Sequence, residues 1–544
     1  MDEDLEMTRQ GSSPTGSNSV FSGGRNREST GLISGDDLQQ RLRQSNLVQK
    51  ATVIISIFAL CVIIIIMAVT SATLDGVKKL STTTSASTYD SLGLPQYEGY
   101  SWEDVKSVAA GSKVNLFLCG TGTAHQTWVN SWLIENLYND FDITMTFTAC
   151  SSTATQVANI EKQIERGDGM SNGTIDIIWI NGANFYNIKD NGALYGPFAT
   201  KLPSADNFDF EADRVKYDFG TPTSGYGMPY ATYPYVHIAN EFFINASTIN
   251  NFDNFLTLLQ TTYSSSASSK GFSTKFTYAA PCTSPDTTES PFSCESGKNG
   301  AVYDYQGSAF IRHVFYYVLR TQTSYTYEDF VSASEVDETL WAKVAPLFYA
   351  KLRAIATSLY QSSGSANYPS TNAAVQTLYE AGTLYVFGSY TPNIGYTLAS
   401  KSSLSLQNSQ AFVFTDGSIA NNVNLIIPSN APNKIAALFA VNFMTSATAM
   451  FSRRESTSPG FNQIQAYDSS TTNFVDGGWN YAFDFLGTNT GNPTRSDYDT
   501  YLVPEIANAY VIRMEVDWYY CVLNYVSGQT TVTGTGSITH NLYC

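Results

Sequence analysis

Three short polar turns hold the residues best suited to contact a ligand. They are Gly120-Thr121-Gly122-Thr123, Cys150-Ser151-Ser152-Thr153 and Asn181-Gly182-Ala183-Asn184, and each follows an apolar run. Thr121, Thr123, Ser151, Ser152, Asn181 and Asn184 offer neutral hydroxyl and amide groups. Gly122 and Gly182 allow a backbone N–H to approach a bound atom closely. Such groups orient a small polar solute in a preformed pocket but supply no acid, base or nucleophile. The GTGT turn lacks the lysine of a phosphate loop, and no HExxH or GxSxG occurs. The one nucleophile class near these turns is thiol, at Cys119 and Cys150. A free, activated thiolate there would suit an enzyme; a disulfide between the two would abolish that chemistry.

The elements that must carry these turns follow from the apolar pattern. Residues 174–185 (TIDIIWINGANF) are the centre of the arrangement. The run is too continuous for a strand with one wet face and reads as a central parallel strand buried on both sides. Residues 113–119 (KVNLFLC) and 142–149 (DITMTFTA) read as two earlier strands. Between them Trp128, Trp132, Leu133 and Leu137 recur at helical spacing, and Val157, Ile160 and Ile164 mark a second helix. The order β-α-β-α-β with short turns predicts a doubly wound parallel sheet, class α/β. Ligands then collect beyond the carboxyl ends of the strands, where the three turns lie. If the first two strands are neighbours, Cys119 and Cys150 stand at one level of the sheet and can pair.

Composition narrows the class. The 544 residues carry a formal charge of −17, with 14% charged and 13% aromatic side chains. Nothing basic is present to neutralise a run of phosphates, which argues against nucleic acid. Residues 1–50 read as a disordered cytosolic tail. Residues 51–74 are uncharged and long enough for one bilayer span. Arg41, Arg43 and Lys50 precede them, so the positive-inside rule leaves the tail in the cytosol. A cleaved signal peptide with Thr70-Ser71-Ala72 is the alternative, disfavoured by the long leader. Residues 75–110 read as a stalk. The chain beyond is expected to be extracellular or lumenal, at the plasma membrane or an endomembrane, as a single-pass type II protein. Two sequons, at Asn172 and Asn245, fit glycosylation there. Apart from Cys61, the six cysteines suggest three local disulfides, Cys119 with Cys150, Cys282 with Cys294 and Cys521 with Cys544. The four scattered histidines and the absence of CxxC argue against structural zinc.

Several distinctive stretches resemble extracellular solute-binding proteins of the type II periplasmic-binding-protein fold, in particular the bacterial ABC-transporter binding proteins of the thiamine-transporter-like kind. They are TIDIIWINGANF and the following NIKDNGALYGPFATKLPS, SGYGMPYATYPYVHIANEFF (224–243), YQGSAF (305–310), NYPS with LYEAGTLYVFGSYTPN (378–393), and TDGSIANNVNLIIPSNAPNKIAALFAVNFM (415–444). The resemblance spans residues 111–446 and implies two lobes joined by crossing strands, with a ligand cleft that closes by hinge motion. Lobe one would comprise 111–232, and lobe two 233–415. Residues 416–520 would return to lobe one and add C-terminal helices, followed by a tail at 521–544. In the crossover, Tyr230 and Tyr233 are candidate aromatic walls. Gln306, Gly307 and Ser308 open a helix whose N-terminus suits an anionic or carbonyl group, and Ser308 can equally be its N-cap. Tyr390 and Asn393 end a further strand at the cleft. A cationic solute such as thiamine would want stacking and a carboxylate; Asp304 and Asp416 are the candidates. The tyrosine pairs 316–317 and 519–520 would be the oxygen ligands for iron. The resulting expectation is a membrane-tethered, non-catalytic receptor for a small polar solute, with a transporter or endocytic partner and no cofactor. A thiaminase-like cysteine enzyme on the same fold is one alternative. A structural or adhesive ectodomain, its cleft filled by its own side chains, is the other.

Overall fold

The computed structural model describes residues 92–457 and 491–544, apart from short breaks at 168–170, 267–269, 289, 295–304, 392–393, 402 and 404–405. The expected cytosolic tail, the apolar stretch 51–74 and residues 75–91 of the expected stalk lie outside the described residues. Residues 92–110 are not a stalk, because a helix forms at Trp102–Ala109 and Leu92, Leu94, Val105 and Ala109 are buried in the first lobe's core. Among the described residues, no helix is long and apolar enough to cross a membrane.

The first lobe is built on β1 (Lys113–Cys119), β2 (Thr144–Cys150) and β3 (Ile177–Ile180). These three are parallel, in the order β2-β1-β3. Every residue of β3 is buried, as its unbroken apolar run requires, because layers cover both faces of the sheet. One layer contains Val129, Leu133 and the helix Lys434–Met444. The other contains Val157 and Ile160 of α1 (Thr153–Glu165) and Phe185 and Ile188 of α2 (Gly182–Asp190). Asp176, just before β3, is fully buried. Its carboxylate accepts backbone N–H groups from Asn115 (2.8 Å) and Asn433 (2.7 Å), tying the sheet to the following helical layer.

The sheet is mixed rather than wholly parallel. β4 (Met228–Pro234) and β8 (Ser418–Ile426) enter it from the second lobe's side, and β8 runs antiparallel to both β3 and β4. β8 lies far along the chain from β3 and adds to the three parallel strands in the antiparallel sense. The second lobe has a three-stranded antiparallel sheet in which β5 (Val236–Asn240) is flanked by β6 (Val386–Ser389) and β7 (Ser409–Phe412). Its core gathers aromatic side chains from α3 (Tyr305–Gln322) and α4 (Glu338–Ala356) around Phe255, Phe310, Phe348 and Trp341.

Three described segments run between the sheets. Tyr235 separates β4 from β5, residues 413–417 link β7 to β8, and residues 505–507 link β9 (Leu502–Pro504) to α5 (Asn508–Trp518). β9 pairs in parallel with the start of β8, whereas Tyr510, Met514 and Trp518 of α5 are buried in the second lobe's core. Within residues 416–520, β8 and the helix Lys434–Met444 pack with the first lobe, and the C-terminal helix α5 packs on lobe two. The final residues form a small hairpin, Thr531–Thr533 with Thr539–Asn541, closed by Cys521–Cys544.

Candidate functional site

β1 and β2 end in register, with Cys119 directly opposite Cys150. The two sulfurs are bonded and the Cα atoms lie 4.2 Å apart. This removes the thiolate that the cysteine-enzyme reading required. Trp179 Nε1 donates to the Cys119 carbonyl at 2.7 Å, fixing the strand ends to β3. Beyond them Gly122, Thr123 and Ser151 are exposed, and Thr121 and Ser152 are half-buried. Gln126 Nε2 donates to the Thr121 carbonyl (2.7 Å), and Ser152 Oγ accepts the Thr155 N–H as an N-cap (3.2 Å). These two turns form a neutral rim in contact with water.

The turn after β3 has a different environment. Gly182 has φ +59°, a conformation that disfavours other residues. A Cβ there would stand 3.3 Å from the ring of Phe219. The Gly182 N–H donates to Asp218 Oδ1 (2.7 Å), and Asn424 Nδ2 donates to Asp218 Oδ2 (3.0 Å). Asp218 is fully buried. Burial pushes its carboxyl up to about 8, with the two donated hydrogen bonds opposing and the nearby Glu505 adding to the rise. Phe219 itself leaves the first lobe's chain and packs in the second lobe's core. At the next position Gly220 has φ +64°, and a Cβ would meet Ala507 N at 2.3 Å. The Gly220 carbonyl accepts Ser332 N–H at 2.7 Å. The segment around 218–220 thus closes one end of the space between the sheets.

At the centre of that closure Arg312 of α3 faces Glu505. Both side chains are completely buried, with Nε 2.8 Å from Oε2. Arg312 Nη2 donates to Glu505 Oε1 (3.1 Å) and to Tyr390 OH (3.0 Å), and Tyr390 OH donates to Glu505 Oε1 (2.5 Å). Arg312 Nη1 also donates to Ser308 Oγ. Burial alone would depress the guanidinium, but Glu505 beside it prevails and holds it well above its ordinary value. Ser308 and Tyr390, singled out from sequence as ligand contacts, are therefore members of an internal ion-pair network. Ser308 also lies inside α3, which begins at Tyr305, rather than capping it.

The other sequence candidates separate as follows. Tyr230 is fully buried in the first lobe's core rather than forming a cleft wall. Its OH lies 3.0 Å from His125 Nε2, and Arg453 stacks 3.8 Å from its ring centroid. Tyr233 is half-buried and packs towards Tyr235, Tyr390 and Ile419 at the crossing. Asn181 and Asn184 are half-buried beside Gly182. Gly307 is buried, and a Cβ there would lie 2.4 Å from the Ala279 carbonyl, so its role is close helix packing. The Gln306 side chain, Asn393 and Asp304 lie outside the described residues. Asp416, the other candidate carboxylate, is bonded to Arg320 at 2.5 Å and to the Phe252 N–H at 3.0 Å. Tyr316 OH donates to the Pro504 carbonyl (2.5 Å). Among the described residues no group of three His, Cys, Asp or Glu could hold a metal. Asn172 and Asn245 are both exposed, and the Cys282–Cys294 pair is bonded as expected.

Sequence reading missed Asp218, Arg312 and Glu505. One signal was present: Arg312 stands among Phe310, Ile311, Val314 and Phe315. A cation on an apolar helical face requires a buried anion.

The two sheets, the crossing segments and the polar strand-end turns make this an α/β protein of the solute-receptor class. The sequence profile of the bacterial extracellular solute-binding protein family matches residues 132–458, more than half of the chain, and the chain belongs to that family. Protein YnjB of Escherichia coli (strain K12) is 23% identical over 354 residues, covering 65% of this chain and 80% of YnjB. Among solved structures, the spermidine/putrescine substrate-binding protein PotD of Streptococcus pneumoniae aligns at 12% identity with a TM-score of 0.47, over 75% of this chain and all of PotD. The bacterial solute receptor AcbH, described as having an exclusive preference for β-D-galactopyranose, aligns at 14% identity with a TM-score of 0.49, over 76% of this chain and 93% of AcbH.

Proposed function

We propose that this protein is a membrane-tethered solute receptor of the type II periplasmic-binding kind, displayed outside the cell or in a lumen. A small polar solute is held by Thr121, Gly122, Thr123, Ser151, Ser152, Asn181, Gly182 and Asn184, and the lobes move about the three crossing segments. The observation that carries this reading is the common edge of the sheet on which all three neutral turns sit, in a chain of an extracellular solute-binding family. Residues 51–74 supply the single anchor, Asn172 and Asn245 carry glycans, and a transporter or endocytic partner receives the solute. A thiamine-like cation fits less well, because Asp416 is engaged by Arg320 and Asp218 is buried behind the turn.

A second reading is favoured by the Arg312–Glu505 network and by Phe219 against Gly182: a structural or adhesive ectodomain whose cleft its own side chains have filled. Native mass spectrometry of the full-length chain, made through an oxidising secretory pathway, distinguishes the two. A retained small molecule whose occupancy falls at least tenfold in Ser151→Trp supports the receptor. A ligand-free chain, unchanged in scattering radius across a solute library, overturns it in favour of the second reading.

A further inference from the structure

A cavity of about 400 Å³ lies where α3 meets two of the crossing segments. This is within the roughly 300–1,000 Å³ range of small-molecule sites. His313, Tyr316, Tyr317 and Arg320 line it as one stripe of α3. The 323–327 loop forms a rim, and Asp416, Gly417 and Val503 supply the opposite wall. Arg312, Tyr390 and Glu505 are not among its walls.

The chemistry of the walls selects a ligand. Their charged and hydroxyl groups are largely used internally: Arg320 with Asp416, Tyr316 OH with the Pro504 carbonyl, and Tyr327 OH with Asp213. What remains to a guest is chiefly ring surface from Tyr317 and Tyr325, which also carry Lys351 (5.0 Å) and Lys343 (5.9 Å) over their rings, while Phe252 is almost wholly buried. Arg320 is 44% exposed and lies 5.7 Å from the Tyr317 ring. It is placed to attract an electron-rich π system. We propose that this cavity is a second binding site, separate from the space between the lobes, for a neutral, electron-rich aromatic compound. Its walls belong to α3, to the end of the 413–417 crossing segment and to Val503 of β9, which pairs with the start of β8 and leads into the 505–507 segment. A bound ring holds these elements at one spacing, so occupancy and lobe position are linked.

Indole is the probe. Calorimetric titration into the full-length chain is expected to give saturable one-to-one binding. Tyr317→Ala weakens it at least tenfold and Thr323→Trp, which fills the cavity from the rim, abolishes it. If Thr323→Trp does not fold, Ser324→Trp at an exposed position takes its place. With saturating indole, amide hydrogen exchange at residues 416–419 and 503–506 slows at least threefold. No binding, binding indifferent to the rim tryptophan, or protection mapping elsewhere overturns the site. Binding of galactose in place of indole at the same residues overturns the assigned class.

Discussion

The carboxyl edge of the first sheet meets two environments. The turns after β1 and β2 present Thr123 and Ser151 to water, and their neighbours are used for local capping. The turn after β3, on the same edge, is enclosed by Phe219, Asp218 and the Arg312–Glu505 pair. The difference arises outside the turns themselves. Phe219 packs against Gly182 and Asp218 accepts its N–H, so Gly182 is buried while Asn181 and Asn184 keep partial exposure, whereas Gly122, Thr123 and Ser151 are exposed. Similar turn chemistry can therefore stand open in one place and be partly covered in another. The covering segments decide which.

Breaking the seal is expected to give the largest effect. Glu505→Ala leaves Arg312 buried without its carboxylate and is expected to cost about 3–5 kcal/mol, measured by urea unfolding. The Arg312→Met, Glu505→Leu double variant should recover most of it. A loss below about 1 kcal/mol for Glu505→Ala would mean that the β3 end is no more closed than the rim. On the rim side, Cys119→Ala with Cys150→Ala removes a crosslink spanning 31 residues. It is expected to cost about 2–4 kcal/mol, read as a denaturation midpoint below that of the oxidised parent.

Two pH effects sharpen the contrast. His237 is buried among Phe255, Phe412 and Phe414, and among the described residues neither ring nitrogen has a hydrogen-bond partner. Burial, with His313 beside it, holds it well below the ordinary histidine value. The folded chain keeps the ring neutral while the unfolded chain takes up a proton below about pH 6.5, so stability falls as pH drops through that point. His237→Phe is expected to raise the melting temperature more at pH 5 than at pH 7.5; equal shifts at both would sink the assignment. Asp218 acts with the opposite sign. Its folded value, pushed up to about 8, lies above the unfolded one. Its contribution is therefore complete below about pH 4 and is lost as pH rises through about 8. Asp218→Asn should stabilise the chain relative to the parent at pH 9 compared with pH 5, seen as a divergence of the two melting-temperature profiles. The smallest effect belongs to the exposed rim: Ser151→Ala is expected to change stability by less than about 0.5 kcal/mol. A larger loss in unfolding experiments would show that this turn, too, is part of a packed interface.

Much of the first lobe was legible because its information is local. The unbroken run of β3 predicts burial on both faces, and alternating strands and helices place the three turns on one edge. Two cysteines at matching strand ends predict the bond between them. The second lobe and the seal were less legible. Tyr230, taken for a cleft wall, is covered by Arg453, 223 residues away. Ser308, a candidate ligand contact or N-cap by its sequence position, is held by Arg312 within its own helix.

The sequence by itself determined the family, the βα order and the neutral character of the strand-end turns, since each is written in local pattern or residue type, and it suggested the local cysteine pairings without deciding among the alternatives. Only the tertiary structure decided which turns remain open. Arg312 and Glu505 are 193 residues apart, and no periodicity links them. Their pairing follows from the path of the 505–507 segment between the lobes, where the attraction between a buried cation and a buried anion offsets the cost of taking each out of water.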